Sequence, residues 1–169
     1  MLQNNKTQSE LKTGTIHKYF DRNILTLTMS NATKKNAINY EMYAALSQAL
    51  DQAATNQDIH VVVLTGEDSA FTSGNDVNAF EKRDTTSSEP PASIVFLKSL
   101  ATFPKPIIAK VNGVAIGIGS TMLLHCDLVY ASQNSIFQFP FVNLGLVPEA
   151  GSSYILPRLL GFARASEII

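Results

Sequence analysis

Glycines at 113, 117 and 119, set between the apolar run Ile107 to Val111 and the run Thr121 to Leu124, are the residues whose spacing most suggests chemistry. Glycine lets a backbone approach a ligand closely, and the first turn of a helix leaves N–H groups without intrahelical partners. Such a turn attracts negative charge, so the pattern suggests an anion or oxyanion site made of main chain. Which anion does not follow from the pattern. A second glycine turn, Ala70-Phe71-Thr72-Ser73-Gly74-Asn75-Asp76-Val77, repeats the arrangement, with Asp76 read as a cap for the segment that follows. The plainer alternative is that Gly74, Gly113, Gly117 and Gly119 merely allow tight turns.

Side-chain chemistry is thinner. Ser120, His125 and Asp127 are the residue types of a serine hydrolase, but no G-x-S-x-G elbow accompanies them and they crowd into one short stretch. His60, His125 and Cys126 lack the paired spacing of a metal site, so no metal is expected. Gly117-Ile118-Gly119 lacks the third glycine of a dinucleotide loop and the acidic residue about 20 positions on. Glu149, after Pro148, reads from the residues alone as a helix-start carboxylate, worth about 0.3 to 1 kcal/mol through the helix dipole.

The elements that must hold these turns follow from periodicity. Thr15 to Phe20 and Ile24 to Met29 read as a hairpin around Asp21-Arg22-Asn23, with Leu25, Leu27 and Met29 alternating with threonines. Asn39 caps a helix to about Asn56, whose apolar face is Tyr43, Leu46, Leu50 and Ala53. Ile59 to Thr65 is a continuous apolar strand ended by Gly66. Thr85 to Pro91 is a surface loop, and Ala92 to Phe103 a helix delivering the chain to the strand at Ile107. Short strands at Asp127 to Ala131 and Ile136 to Phe139 come next. Helices over Glu149 to Leu160, interrupted by Pro157, and over Ala163 to Ile169 end the chain. The result is one mixed α/β domain over residues 13–169, behind a frayed polar tail at 1–12.

Composition narrows the function classes. The 169 residues are 45% hydrophobic and 16% charged, enough to bury one core. A net charge of −1 gives no basic footprint, so neither nucleic acid nor an anionic membrane is the expected partner. No apolar run approaches the roughly 20 residues of a membrane span. A single cysteine, and a start, MLQNNKTQSELK, without an apolar core, favour a reducing, cytoplasmic location.

Four motifs in order resemble the crotonase family of enoyl-CoA hydratases and isomerases. They are KKNAINYEM, AFTSGNDV, KPIIAKVNGVAIGIGSTMLLHCDLVYAS and FQFPFVNLGLVPEAGSSYILPRLLG. The resemblance runs from about Thr15 to the end. It implies a crotonase-like spiral of β-β-α units that binds acyl-CoA thioesters, with the family's C-terminal helical part cut short. The family holds the thioester oxygen, as it becomes an enolate, with two backbone N–H groups, and the matching positions are Ser73 and Ile118. Losing one such donor typically costs roughly 3 to 4 kcal/mol of transition-state stabilisation. The hydratases' two glutamates fall on Thr121 and Phe141, neither able to exchange a proton at neutral pH. Glu149 stands where the Δ3-Δ2-enoyl-CoA isomerases carry their single catalytic glutamate.

The implied activity is therefore isomerisation of a 3-enoyl-CoA to a 2-enoyl-CoA, in fatty acid metabolism. Phe137, Phe139, Phe141, Leu144, Leu146 and Val147 would desolvate the base. Ala37, Gly74, Asp76, Val77, Gly117 and Phe141 are the implied substrate contacts, and Lys34 and Lys35 fall near the CoA moiety. CoA enters only as part of the substrate, and no cofactor is implied. Family members assemble as trimers or pairs of trimers. The uncapped helix at Ala163 to Ile169 suggests a truncated form of different assembly. The alternative function is an acyl-CoA-binding form with little or no turnover.

Overall fold

The computed structural model describes residues 14–77 and 89–169. The polar tail at 1–12, most of the surface loop before Pro91 and the segment after Val77 lie outside them. Strands β1 (Thr15–Asp21) and β2 (Ile24–Ser30) form the expected antiparallel hairpin. Its turn residues Arg22 and Asn23 have φ of 46° and 65°, the left-handed pair that matches the twist of a two-residue hairpin. On β2 the buried residues are Leu25, Leu27 and Met29, so period-two alternation sets the inward face.

From β2 the chain winds as a spiral that contributes one strand to each of two sheets per turn. Strands β3 (Val61–Gly66), β5 (Ile107–Val111) and β7 (Leu128–Ala131) extend the first sheet in parallel, giving the order β1-β2-β3-β5-β7. Strands β4 (Ala70–Thr72), β6 (Val114–Ile116) and β8 (Ile136–Gln138) form a second parallel sheet in that order. The short strands β4 and β6 occupy stretches expected to be only turns. Three residues are too few to show a period.

Helix α1 (Tyr40–Thr55) starts at Asn39, whose side chain accepts the Met42 N–H at 2.9 Å, the expected cap. Its buried face includes Tyr43, Leu46, Leu50 and Ala53, as the spacing requires. Helix α2 (Ala92–Ala101) adds Phe96 and Leu100 to the same core, beneath Leu27, Val62, Leu64, Ile107 and Ala109 of the large sheet. Helix α3 (Ile118–Thr121) is one turn long and runs on as a 3-10 stretch, Met122–His125. Helices α4 (Ser152–Leu160) and α5 (Phe162–Ile168) close the described chain, with Pro157 inside α4. Helix α4 begins three residues after Glu149, because Ala150 and Gly151 both take positive φ, so Glu149 stands on a turn and not at a helix start.

Candidate functional site

In chain order the first glycine turn, Ala70 to Val77, is held in place by Asn36. Its Nδ2 donates to the carbonyls of Glu67 and Ala70 at 2.8 Å each, and its Oδ1 accepts the Asn31 N–H at 2.9 Å. Thr72, fully buried at the end of β4, donates its hydroxyl to the Asn36 carbonyl at 2.7 Å and accepts the Gly74 N–H at 3.0 Å. Buried polar groups that are all satisfied rigidify the backbone they belong to. The segment from Asn31 to Ile38 and the turn after β4 thus form one unit.

That unit decides which N–H groups are available. The Ser73 N–H donates to the Lys35 carbonyl at 2.9 Å and its hydroxyl to the Lys34 carbonyl at 2.7 Å, so Ser73 is not a free donor, contrary to the expectation. Two residues on, Asn75 forms a parallel bridge with Ile38: the Ile38 N–H donates to the Gly74 carbonyl at 2.8 Å and the Asp76 N–H to the Ile38 carbonyl at 3.0 Å. In a parallel bridge the groups of the central residue point to the other side. The Asn75 N–H accordingly has no partner among the described residues. The sequence carried no sign of this, because which N–H faces the site depends on pairing with a segment 37 positions away (75 minus 38).

In the second turn, residues 113–119, lies the other expected donor, the Ile118 N–H. The Gly117 N–H is taken by the Gln138 carbonyl at 3.0 Å, while Ile118 opens the helical turn that follows and its N–H has no partner among the described residues. Two contacts bring the turns together. A Cβ on Gly74, where φ is +96°, would lie 2.7 Å from the Ile116 carbonyl oxygen, and one on Gly119 would lie 2.7 Å from Thr72 Cγ2 and 3.0 Å from its carbonyl oxygen. Both glycines are there because the other turn's backbone passes within contact. Residues 72–75 and 116–119 therefore run side by side; among the described residues the Asn75 N–H in the one and the Ile118 and Gly119 N–H groups in the other have no hydrogen-bond partner.

Glu149 lies within electrostatic reach of Tyr43, whose hydroxyl donates to Asn75 Oδ1. The Glu149 carbonyl accepts both the Ser152 N–H at 2.9 Å and the Ser152 hydroxyl at 2.7 Å, closing a turn through Ala150 and Gly151. Burial raises the Glu149 carboxyl above its ordinary value, the direction that makes its carboxylate a stronger proton acceptor. Of the six residues expected to desolvate it, only Phe141 is buried; Phe137, Leu144, Leu146 and Val147 are exposed, and Phe139 is half-buried with its ring 6.5 Å from that of Phe141. Tyr43, missed in the sequence as a plain core position of α1, is close enough for the Glu149 charge to act on it. Burial first, and then that charge, push its hydroxyl far above the usual value. The same hydroxyl donates to Asn75 Oδ1, so Tyr43 links Glu149 to the first turn.

The remaining candidates are dispersed. Thr121 is fully buried with its hydroxyl on the Ile118 carbonyl at 3.4 Å. The Lys34 ammonium meets Asp76 Oδ2 at 2.6 Å, so that lysine bridges to the first turn. Ala37 is buried and Val77 exposed. The Ser120 hydroxyl donates to the Ala115 carbonyl at 2.5 Å, Asp127 Oδ2 accepts the Ile107 N–H at 2.8 Å, and His125 Nε2–H donates to the Ala150 carbonyl at 2.8 Å. Each of the three is committed elsewhere, so these three form no hydrolase triad. The Cys126 thiol is pushed up to about 12 by burial and by Asp127, which leaves it unreactive. Among the described residues no group of three metal-binding side chains converges, and no helix is long and apolar enough to cross a membrane.

Comparison with known sequences supplies the family. The sequence pattern of the family described as enoyl-CoA hydratase/isomerase matches residues 19–169. The chain belongs to that family. It is 36% identical over 151 residues to mouse "Enoyl-CoA delta isomerase 3, peroxisomal", covering 86% of this chain and 47% of the mouse protein. It is 35% identical over 146 residues to the Escherichia coli K12 2,3-dehydroadipyl-CoA hydratase, covering 86% of this chain and 57% of that enzyme. The crystal structure of an enoyl-CoA hydratase/isomerase from Pseudoalteromonas atlantica superposes with a TM-score of 0.87 at 42% identity, over 91% of this chain and 61% of the other. The chain thus spans about half the length of the curated relatives it matches, and its crotonase spiral is that of the family.

Proposed function

We propose that the protein is an enoyl-CoA isomerase that moves the double bond of a 3-enoyl-CoA to the 2 position. Glu149 takes a proton from the carbon between the thioester and the double bond. The electron pair passes to the thioester oxygen, and the resulting enolate oxygen is held by the N–H groups of Asn75 and Ile118. The protonated Glu149 then returns the proton to the far carbon of the former double bond. One carboxylate and two N–H donors suffice for the sequence, and atoms and charge balance without a cofactor.

The observation that carries this reading is that neither position of a hydratase's water-activating pair holds a carboxylate. The positions of a hydratase's water-activating glutamates hold Thr121, sealed in the core, and Phe141, a buried ring. A hydratase relative at 35% identity keeps water addition in play as the competing activity. The discriminating experiment gives the chain 3-enoyl-CoA and 2-enoyl-CoA substrates side by side and follows each by absorbance. Isomerisation with hydration slow or absent is expected, and efficient hydration of crotonyl-CoA would sink the proposal. An acyl-CoA thioester as the partner, a homo-oligomeric assembly and a cytoplasmic location belong to the same proposal. The mouse relative's name puts that protein in the peroxisome.

A further inference from the structure

The turn that carries Glu149 is strained. Ala150 has φ of 53° and Gly151 of 67°. Glycine takes this conformation freely, whereas an alanine there pushes its Cβ against the neighbouring carbonyl and persists only where its surroundings enforce it. Two hydrogen bonds from Ser152 close the turn at the Glu149 carbonyl. A third comes from far away: the Ala150 carbonyl accepts Nε2–H of His125 at 2.8 Å. Because a carbonyl can only accept, the ring carries its proton on Nε2. No other side-chain hydrogen bond of His125 occurs among the described residues.

His125 ends the 3-10 stretch Met122–His125, which continues directly from the helical turn that Ile118 opens. The two groups that must act on one substrate, the Ile118 N–H and the Glu149 carboxylate, are thereby joined through a single imidazole. We propose that His125 is a positioning residue: its Nε2–H holds the Ala150 carbonyl, and with it the strained turn, so that the Glu149 carboxylate keeps its place relative to the Ile118 N–H. The inference rests on the reading of Glu149 as the base. The plain alternative, a half-buried histidine whose ring is simply satisfied, predicts no coupling between His125 and the backbone strain at Ala150.

Three substitutions separate the two. His125→Leu keeps bulk and removes the donor, His125→Gln keeps a donor, and Ala150→Gly relieves the strain that the donor opposes. Misplacing a reacting group by about 1 Å costs on the order of 100-fold, so His125→Leu should lower isomerase kcat by about 10- to 100-fold with KM within about twofold. His125→Gln should retain most of kcat, and Ala150→Gly in the leucine background should recover about tenfold. A folded His125→Leu protein with wild-type kcat, or a loss that neither glutamine nor Ala150→Gly relieves, would overturn the proposal. A readout independent of turnover is the Glu149 carboxyl followed by 13C NMR titration. It should fall toward the ordinary carboxylate range in His125→Leu and return when Ala150→Gly is added, and an unmoved titration would also count against it. Should the leucine variant not fold, the wild-type ring decides: a slowly exchanging Nε2–H coupled to the Ala150 carbonyl supports the anchor, and a freely exchanging one ends it. A chain without isomerase activity would defeat the proposed function while these NMR arms still decide the role of His125.

Discussion

Phe96 and Phe137 carry the same side chain in opposite settings. Phe96 is fully buried beneath the large sheet with its ring 5.7 Å from Tyr43, whereas Phe137 on β8 is 45% exposed. The contrast extends to whole regions. From β1 to β6 the inward residues of strands and helices form one core, while every residue of β7 and β8 is exposed, as are Tyr154, Leu159 and Phe162 beyond them. The two N–H groups of the site are therefore set by deep packing and by the Asn36 and Thr72 hydrogen bonds. Glu149 is set by a surface turn and three hydrogen bonds. On the proposed reading, the part that would hold a developing charge is fixed by the core, and the part that would move the proton by local backbone geometry.

Truncating each phenylalanine tests that difference most strongly. Phe96→Ala should cost about 3 to 5 kcal/mol in urea unfolding, because the cavity it leaves is fully enclosed. Phe137→Ala should cost less than about 1 kcal/mol. Equal costs would mean that a second copy or another surface covers β8 in solution.

The same substitution at two glycines gives a smaller contrast. Gly74→Ala meets both a positive φ and the Ile116 carbonyl at 2.7 Å, so about 2 to 3 kcal/mol of stability should be lost. The two turns would also part, and turnover should fall with them. Gly151→Ala has φ of +67° but its nearest neighbour, Ile155 Cδ1, is 3.6 Å away, so only backbone strain of about 1 to 2 kcal/mol is expected. A harmless Gly74→Ala would show that the turns do not depend on each other.

The smallest effect is one of pH. Burial raises the Glu149 carboxyl in the folded protein above its unfolded value, so the folded state holds that proton more tightly. The stability this contributes is full below the unfolded pKa and is lost as pH rises through the folded one. Glutamine is neutral throughout, so Glu149→Gln should raise the melting temperature slightly, by about 2 °C, at neutral pH and leave it unchanged in acid. A melting temperature lowered at neutral pH would mean that the ionised carboxylate is stabilised in place and not desolvated.

Much of the scaffold was legible because its signals are local. The alternation of Leu25, Leu27 and Met29, the Asn39 cap and the apolar face of α1 each stand as read. The second sheet was not legible, since β4 and β6 hide inside glycine turns. The unpartnered N–H lies two residues beyond Ser73 because the sidedness of an N–H is fixed by the Ile38 to Asn75 pairing, which no local pattern encodes. Glu149 was identified through the family motif, but its support was not. Nothing in the string from Pro148 to Ser152 says that an alanine will take positive φ or that His125 will hold it there.

On the proposed reading Glu149 alone moves the proton while the main chain holds the charge. Steady-state turnover of 3-enoyl-CoA by Glu149→Gln, with acyl-CoA binding measured on the same sample, tests it most directly. Glutamine keeps the shape and loses the basicity, so turnover should drop by about 100- to 10,000-fold with binding unchanged. Wild-type turnover in that variant would contradict the account.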